Sequence, residues 1–174
     1  MSKFLTSDLH FFHKKIVEFT NRKQVITQDE HTEWLVDMWN STVGNDDDIY
    51  SLGDFAFTGN YEKLADLIGR LNGRKHFILG NHCDSKVWAK IRKERMNDSR
   101  LGSIATIEKL KNVHMEVNGE KHMFIMCHFA LRVWWNQHYG TFHCFGHSHG
   151  SLVTDDRSMD VGIDAAFNHF GEYR

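Results

Sequence analysis

Five short apolar runs recur along the chain, and each ends at a residue that can bind a metal ion. One covers residues 50–52 and stops at Gly53 and Asp54. A short apolar run that ends this way predicts a buried strand whose carboxyl end points into a crevice, where open α/β sheets bind ligands. The other four runs end at Asp8-Leu9-His10, Gly80-Asn81-His82, His128 and Gly146-His147-Ser148-His149. Any one run alone predicts only a strand and a polar loop, but five together indicate one shared site.

Helical periodicity fills the segments between these strands. Thr27 and Glu30 form a capping-box pattern, and apolar residues at helical spacing follow from Trp34 to Val43. Asn60 can cap a second helix over 61–71, and a third is predicted over 85–95. Strands are expected over 3–7 and 75–79. This alternation predicts an α/β fold.

Asn118-Gly119 gives the strongest hairpin signal, between strands predicted over 113–117 and 121–126. From this point we expect the second half of the sheet structure to be antiparallel. His128 would then be held rigidly by the outgoing strand.

Composition places the chain among single-domain proteins without a membrane segment. It has 174 residues with 41% hydrophobic and 25% charged content, and we interpret 1–174 as one domain. We see no long apolar stretch and no secretory signal, which favours a cytoplasmic location. The three cysteines suggest reduced thiols, and the net charge of −2 gives no global basic surface for long nucleic acid.

Several polar and aromatic segments have more ordinary interpretations. The run Asp46 to Asp48 precedes a strand, so a solvated turn is favoured over a metal site. The basic residues between 86 and 95 are interpreted as a solvated helix face rather than as a phosphate-steering surface. Trp134, Trp135 and Tyr139 lie between two of the motifs, and they could form a pocket wall or pack within their own loop.

Taken together, the motifs resemble those of the calcineurin-like metallophosphoesterases, of the small single-domain bacterial or phage type. All five blocks occur in order across nearly the whole chain, as Asp8-x-His10, Gly53-Asp54, Gly80-Asn81-His82, His128 and Gly146-His147-x-His149. The resemblance implies a four-layer α/β/β/α sandwich with mixed central sheets, in which residues 159–164 form a closing strand with a structural role only. It also implies a site for two divalent metal ions, with oxygen and imidazole donors and no thiolate.

The resemblance assigns a role to each motif residue. Asp54 would bridge two ions about 3.5 to 4 Å apart. Asp8, His10 and His149 would complete the first ion, and Asn81, His128 and His147 the second. Manganese is the first choice of metal, with iron, zinc or nickel as alternatives.

His82 would act in catalysis, as a proton donor to the leaving oxygen or a stabiliser of the transition state. The chain departs from the family here, because the family has an acidic residue after the Asn-His pair and this chain has Cys83. Asp84 comes one place later, and whether it substitutes is left open. His13 could reach the substrate or simply begin the next helix.

The function expected from this resemblance is hydrolysis of phosphodiester or phosphomonoester bonds in small, nucleotide-derived substrates, with the diester favoured. A nuclease acting on DNA or RNA is an alternative within the same class. A catalytically inactive scaffold that binds proteins is the alternative from another class, and the complete set of motif residues argues against it. The oligomeric state is not indicated by the sequence.

Overall fold

The structure is a computed structural model that describes residues 1–20, 22, 27–154 and 156–166. These residues form a mixed α/β structure with two four-stranded sheets and five α-helices. The strands are β1 (Lys3–Thr6), β2 (Asp48–Leu52), β3 (Arg74–Ile78), β4 (Ile104–Glu108), β5 (Leu110–Val117), β6 (Glu120–Cys127), β7 (Phe142–Phe145) and β8 (Ser158–Asp160). The helices are α1 (Ile16–Phe19), α2 (Gln28–Thr42), α3 (Tyr61–Arg70), α4 (Ser85–Glu94) and α5 (Ile163–Ala166). None of the described helices combines the length and apolar character needed to cross a membrane.

The first sheet is entirely parallel, with strand order β1-β2-β3-β4. All five residues of β2 are buried, as expected for a central strand that is covered on both faces. Because the strands are parallel, the residues that follow β1, β2 and β3 emerge at one edge of the sheet. This edge carries the first three of the five motifs.

The second sheet has the order β5-β6-β7-β8. Strands β5 and β6 form the antiparallel hairpin that Asn118 and Gly119 predict, and both turn residues have positive φ, at 53° and 82°. The pairs β6-β7 and β7-β8 are parallel, so the expectation of an antiparallel second half is wrong beyond the hairpin. A turn fixes only the direction of its own two strands, whereas the loop between β6 and β7 is long enough to return the chain to the other end of the sheet.

Two apolar cores occupy the two faces of the first sheet. Ile49 and Phe77 face α2, α3 and α4, where Leu35, Leu64 and Ile91 are among the buried residues. Alternate residues on the same strands, such as Leu52 and Ile78, face the second sheet and pack with its Phe124 and Met126. The described residues thus place helices on one sheet and the second sheet on its other face, and the fourth layer of the expected sandwich is not confirmed by them.

The predicted helices are found, with small differences at their ends. Thr27 and Glu30 make both hydrogen bonds of a capping box at the start of α2. Asn60 caps α3 by accepting a hydrogen bond from the backbone of Lys63. Trp39 is buried in the helix-side core and Trp34 is half-buried against it.

Two segments differ from their sequence interpretation. Asp48 is buried, not solvated, since it accepts hydrogen bonds from Arg74 and pairs with His76 on the neighbouring strand. Its burial follows from its position as the first residue of β2 in the middle of the sheet. Strand β4, at the edge of the first sheet, was not anticipated from the sequence.

Of the aromatic residues in the loop after β6, only Trp134 is buried. Its indole N–H donates to Thr141, and its ring lies 5.4 Å from that of His143, which is loop packing. Trp135 and Tyr139 are exposed.

Candidate metal centre

The five motifs meet at one edge of the molecule and form two groups of possible metal donors. Asp8, His10 and His149 make the first, here named the Asp8 group, and Asp54, His128 and His147 make the second, here named the His128 group. Within each group, one donor atom from every residue lies within 4.8 Å of the others. The two groups match the two ligand sets that the resemblance implies.

Asp54, a member of the His128 group, also faces the Asp8 group. Its Oδ2 is 3.3 Å from Nε2 of His128 and 3.9 Å from Nε2 of His10. Its Oδ1 accepts a hydrogen bond of 2.9 Å from the backbone N–H of His82. One carboxylate oxygen is therefore oriented by the loop after β3, while the other faces an imidazole from each group, which is where a bridging ligand would lie.

Asn81 adds an exposed oxygen donor to the His128 group. Its Oδ1 is 2.9 Å from Nε2 of His128, while Nδ1 of His128 is 2.9 Å from the carbonyl oxygen of Leu52. The carbonyl can only accept, so Nδ1 carries a proton and Nε2 is the atom that faces Asn81 and Asp54. Three electron-rich atoms that converge in this way favour a cation between them.

The backbone is strained at most of these positions. Asp8, His10, Asp54, His147 and His149 all have positive φ, between 45° and 66°. For a residue with a side chain this conformation costs about 1–2 kcal/mol, and such strain clusters at sites that bind or react. Five of the eight non-glycine residues with positive φ in the described part of the chain belong to the two groups.

The motif glycines are required because donor side chains approach the backbone closely. A Cβ at Gly80 would lie 2.2 Å from Oδ1 of Asp54. A Cβ at Gly146 would lie 1.9 Å from Oγ of Ser7 and 2.4 Å from Oδ2 of Asp8. All three distances are shorter than any real contact, so each glycine leaves the space that a carboxylate occupies.

Unpartnered polar atoms show that the Asp8 group fits a cation. Oδ1 of Asp8 and both ring nitrogens of His10 are buried and have no hydrogen-bond partner among the described residues. Buried polar atoms are nearly always paired, so three orphans in one donor group require an explanation. A divalent ion bound by these atoms would provide it.

The pKa shifts of the buried donors also fit a bound cation. Burial raises the pKa of Asp8 to about 6, although nearby histidines oppose the shift. Burial lowers the pKa of His10 to about 3, which keeps its imidazole neutral as a metal ligand must be. For Asp54, burial would raise the pKa, but without an ion His128 can take a second proton on Nε2, and its hydrogen bond and charge then bring the pKa of Asp54 to about 2.

Asp164, expected from the sequence to be structural only, supports the Asp8 group. Its Oδ2 lies 2.6 Å from Nδ1 of His149. A carboxylate oxygen accepts the Nδ1 proton and leaves Nε2 free for an ion, an arrangement common among metal-bound histidines. Arg22 donates to both oxygens of Asp164 and was also not identified from the sequence. No local pattern marks either residue, because the two are 142 positions apart.

His82, the predicted catalytic residue, is at the open side of the site. It is exposed, and its ring centroid lies 5.6 Å from that of His10. Cys83 does not replace the missing acid, because burial raises its thiol pKa to about 11 and Sγ accepts the N–H of Gly80. Asp84 caps α4 by accepting the N–H groups of Lys86 and Val87, so its described contacts are with its own helix.

His13 is half-buried beside the same opening, with its ring 5.4 Å from that of His10. It lies three positions before Ile16, where α1 begins with Lys15 as its N-cap, so His13 does not begin this helix. Its contact with a substrate stays a prediction. Phe57, about half-exposed, contacts the rings of His13 and His82 at 4.8 and 5.6 Å. On the other side, Phe129 contacts His128 and His147, each at 4.9 Å, so two phenyl rings flank the donor groups.

Comparisons with known proteins give relatives whose names state no activity. No family model matches the chain. It is 39% identical over 80 residues to the Gene 66 protein of Mycobacterium phage L5, covering 44% of this chain and 37% of that protein. It is also 39% identical over 80 residues to an uncharacterized protein of Methanocaldococcus jannaschii, covering 45% of each. The matched region therefore spans less than half the length of these two relatives.

Two further comparisons extend over nearly the whole chain. The Gene 66 protein of Mycobacterium phage D29 is 28% identical over 178 residues, covering 92% of this chain and 86% of that protein. A protein of unknown function from Aquifex aeolicus has a similar structure, with a TM-score of 0.62, 15% identity and coverage of 94% of this chain and 91% of the other. At this identity the likeness concerns the fold alone.

Proposed function

We propose that the protein is a phosphoesterase that depends on two divalent metal ions and hydrolyses small, nucleotide-derived phosphodiesters in preference to monoesters. The observation that carries the proposal is the pair of three-residue donor groups, one of which contains Asp54 while the other approaches it through His10. Membership of the calcineurin-like metallophosphoesterases and the complete four-layer α/β/β/α sandwich belong to the same proposal.

The donor chemistry suits hard or borderline divalent ions. The Asp8 group with Asp54 would hold one ion, and the His128 group with Asn81 would hold the other. Only oxygen and imidazole donors are present, which suits manganese first and iron, zinc or nickel as alternatives. When bound, two such ions neutralise the charge of a phosphate ester and lower the pKa of a water molecule between them.

His82 is the residue assigned to proton transfer or transition-state stabilisation. Its backbone is fixed by the bond to Asp54, and its exposed ring lies beside the buried donors, where a substrate can reach it. Proton transfer by a positioned side chain contributes about 10²–10⁴-fold to a rate. Since neither Cys83 nor Asp84 gives it a carboxylate partner, His82 would act without the acidic neighbour found in the family pattern.

Phe57 and Phe129 support a substrate with planar groups. Both are about half-exposed, and each contacts a histidine of the opening on a different side. Exposed aromatic rings that flank a polar centre can pack against a nucleobase while the ions hold the phosphate. For this reason we propose nucleotide-derived esters as substrates in preference to simple sugar phosphates.

The test begins with metal-stripped protein to which Mn²⁺ is added. Turnover is measured on bis(4-nitrophenyl) phosphate and on 4-nitrophenyl phosphate, with bound Mn²⁺ quantified in parallel. We expect metal-dependent turnover that is faster on the diester. His82→Ala should keep both ions, and its turnover rate should fall about 10²–10⁴-fold. Asp54→Asn should lose the ions.

His138→Ala is the matched control, because His138 is an exposed histidine that belongs to neither donor group. It should behave like the wild type in both measurements. An Asp54→Asn protein with full activity and two bound ions would refute the assignment of the centre. Metal binding with no turnover on either ester would instead favour the protein-binding scaffold.

A further inference from the structure

Arg22 is the most deeply buried cation near the donor groups. Its side chain has no solvent exposure. Burying a guanidinium group is unfavourable unless a partner charge and hydrogen bonds compensate for the lost hydration. The complete burial of the Arg22 charge therefore requires an explanation from the groups that surround it.

Every N–H of this guanidinium has an acceptor. Nε and Nη2 donate to the two oxygens of Asp164, at 2.9 and 2.8 Å. Nη2 also donates to the carbonyl oxygen of Asp8 at 2.6 Å, and Nη1 donates to that of Leu9 at 2.8 Å. The second N–H of Nη1 faces Nε2 of His31 at 3.0 Å, and since arginine cannot accept, this nitrogen of His31 must do so. The five donors are thus fully used.

Two of these bonds hold a strained turn. Asp8 and His10 have φ values of 58° and 54°, on either side of Leu9. Their backbone N–H groups donate to the carbonyl oxygens of Gly53 and Asp54, while the carbonyl groups of Asp8 and Leu9 accept from Arg22. Without Arg22 these two carbonyls would lose their charged partner, and the turn would be free to relax toward an unstrained backbone.

Two other bonds orient the third member of the same group. Arg22 holds Asp164 through both carboxylate oxygens, and one of them accepts the Nδ1 proton of His149. A carboxylate that is held at two points can direct that imidazole more narrowly than one that rotates freely. Arg22 therefore reaches all three residues of the Asp8 group, two through the backbone and one through Asp164.

The described contacts of the His128 group follow other routes. His128 is held by the carbonyl of Leu52 and by Asn81, and Asp54 is held by the N–H of His82. The backbone of His147 donates to Asp8. Arg22 itself makes none of these contacts, and it reaches the His128 group only indirectly, through the bond from His147 to Asp8 and the bond from His10 to Asp54. Loss of Arg22 should therefore act first on the Asp8 group.

We propose that Arg22 is a positioning residue that holds the Asp8 group in the geometry needed to bind one of the two ions. The inference rests on the metal centre of the proposed function. It predicts a selective effect, in which loss of Arg22 weakens one ion site and spares the other. A purely structural role would lower stability without distinguishing the two sites.

The experiment measures Mn²⁺ binding to metal-stripped protein by calorimetry, with thermal melts to confirm folding. Arg22→Met removes the donors at similar volume, and we expect one ion to bind as in the wild type and the other about 10–100-fold more weakly. Arg22→Lys should not restore the affinity, because one ammonium group cannot make two contacts to Asp164 and also reach both carbonyls.

Lys75→Met is the control for loss of a buried cation. Lys75 is 2% exposed and also donates to two backbone carbonyls, those of Leu71 and Gly73, but it has no described contact with the donor groups. It should bind two ions normally. If Lys75→Met and Arg22→Met reduce Mn²⁺ binding equally, the effect is a general loss of structure and the proposal fails.

Double variants identify which ion is affected. In a His149→Ala background the Asp8 group is already damaged, so adding Arg22→Met should change Mn²⁺ binding little. In a His147→Ala background the remaining tight ion depends on the Asp8 group, so adding Arg22→Met should remove it. The reverse pattern would overturn the proposal.

If Arg22→Met does not fold, Asp164→Asn tests the contact from Arg22 through Asp164 to His149 with a smaller change in side-chain volume. It should show the same selective loss of affinity for one ion. Failure of this inference is separate from failure of the proposed function. Wild-type protein that binds no Mn²⁺ refutes the metal centre itself. Wild-type and Arg22→Met proteins that bind two ions with equal affinity refute only the role of Arg22.

Discussion

A methyl group added at Gly80 should disturb both donor groups at once. The backbone of Gly80 lies outside the left-handed region, so alanine is acceptable to the backbone itself. The added Cβ, however, would lie 2.2 Å from Oδ1 of Asp54 and 2.9 Å from Nε2 of His128. Gly80→Ala therefore tests whether Asp54 must remain where it is found.

The size of the effect follows from these distances. Ordinary contact begins at 3.4 Å, so Asp54 and the new methyl group must separate by a further 1.2 Å. Metal sites tolerate deviations of only about 0.2 Å in ligand distance. We expect both ions to bind at least about 10–100-fold more weakly, and overpacking to cost about 1–3 kcal/mol of unfolding free energy. For a chain of this size that lowers the melting temperature by about 2–12 °C.

Calorimetric Mn²⁺ titration and thermal melts of the metal-stripped protein would measure the two effects separately. Gly59→Ala is the control, because a Cβ there meets only Oδ2 of Asp84 at 3.9 Å, and it should match the wild type. A Gly80→Ala protein that binds two ions with wild-type affinity would show that the position of Asp54 does not matter. The inference of a bridging carboxylate would then be refuted.

Three further predictions concern other parts of the molecule. Phe57→Leu should raise KM for nucleotide esters several-fold with Mn²⁺ binding unchanged, and an unaltered KM in steady-state kinetics would exclude contact with the substrate. Burial alone would raise the pKa of Asp48, but the hydrogen bonds from Arg74 and His76 outweigh this effect and lower it. The contribution of Asp48 to stability is therefore present above about pH 4 and is lost as the pH falls through its folded pKa. Denaturant unfolding from pH 6 to pH 2 should therefore show a shallower decline for Asp48→Asn, and equal slopes would contradict this. Thr27→Ala should lower the unfolding free energy by about 1 kcal/mol through loss of the α2 cap, and urea denaturation with an unchanged midpoint would contradict it.

Much of the site could be predicted because its residues sit at fixed places relative to local structure. Asp8, Asp54 and Asn81 follow short apolar runs, and parallel strands bring their carboxyl ends to one edge whatever the intervening helices contain. The hairpin at Asn118 and Gly119 was predictable for the same reason, since the turn depends on two adjacent residues. These features need only neighbours in sequence and the rules of sheet pairing.

What could not be predicted depends on contacts between distant segments. Arg22 and Asp164 carry no motif, and their importance appears only when the fold brings them together. Asp48 was misinterpreted because two aspartates precede it, although its strand lies in the centre of the sheet. The parallel direction of β7 could not be inferred either, since it is set by the route of a long loop and not by a turn.

Each donor group draws its members from both sheets. His149 follows β7 of the second sheet while Asp8 follows β1 of the first, and Asp54 follows β2 while His128 follows β6. A bound ion would therefore act as a cross-link that fastens one sheet to the other at this edge. At a free ion concentration of 100 times Kd, each cross-link adds about 2.7 kcal/mol to stability. Metal supply would then govern resistance to proteolysis, because without the ions less would hold the two sheets together at this edge.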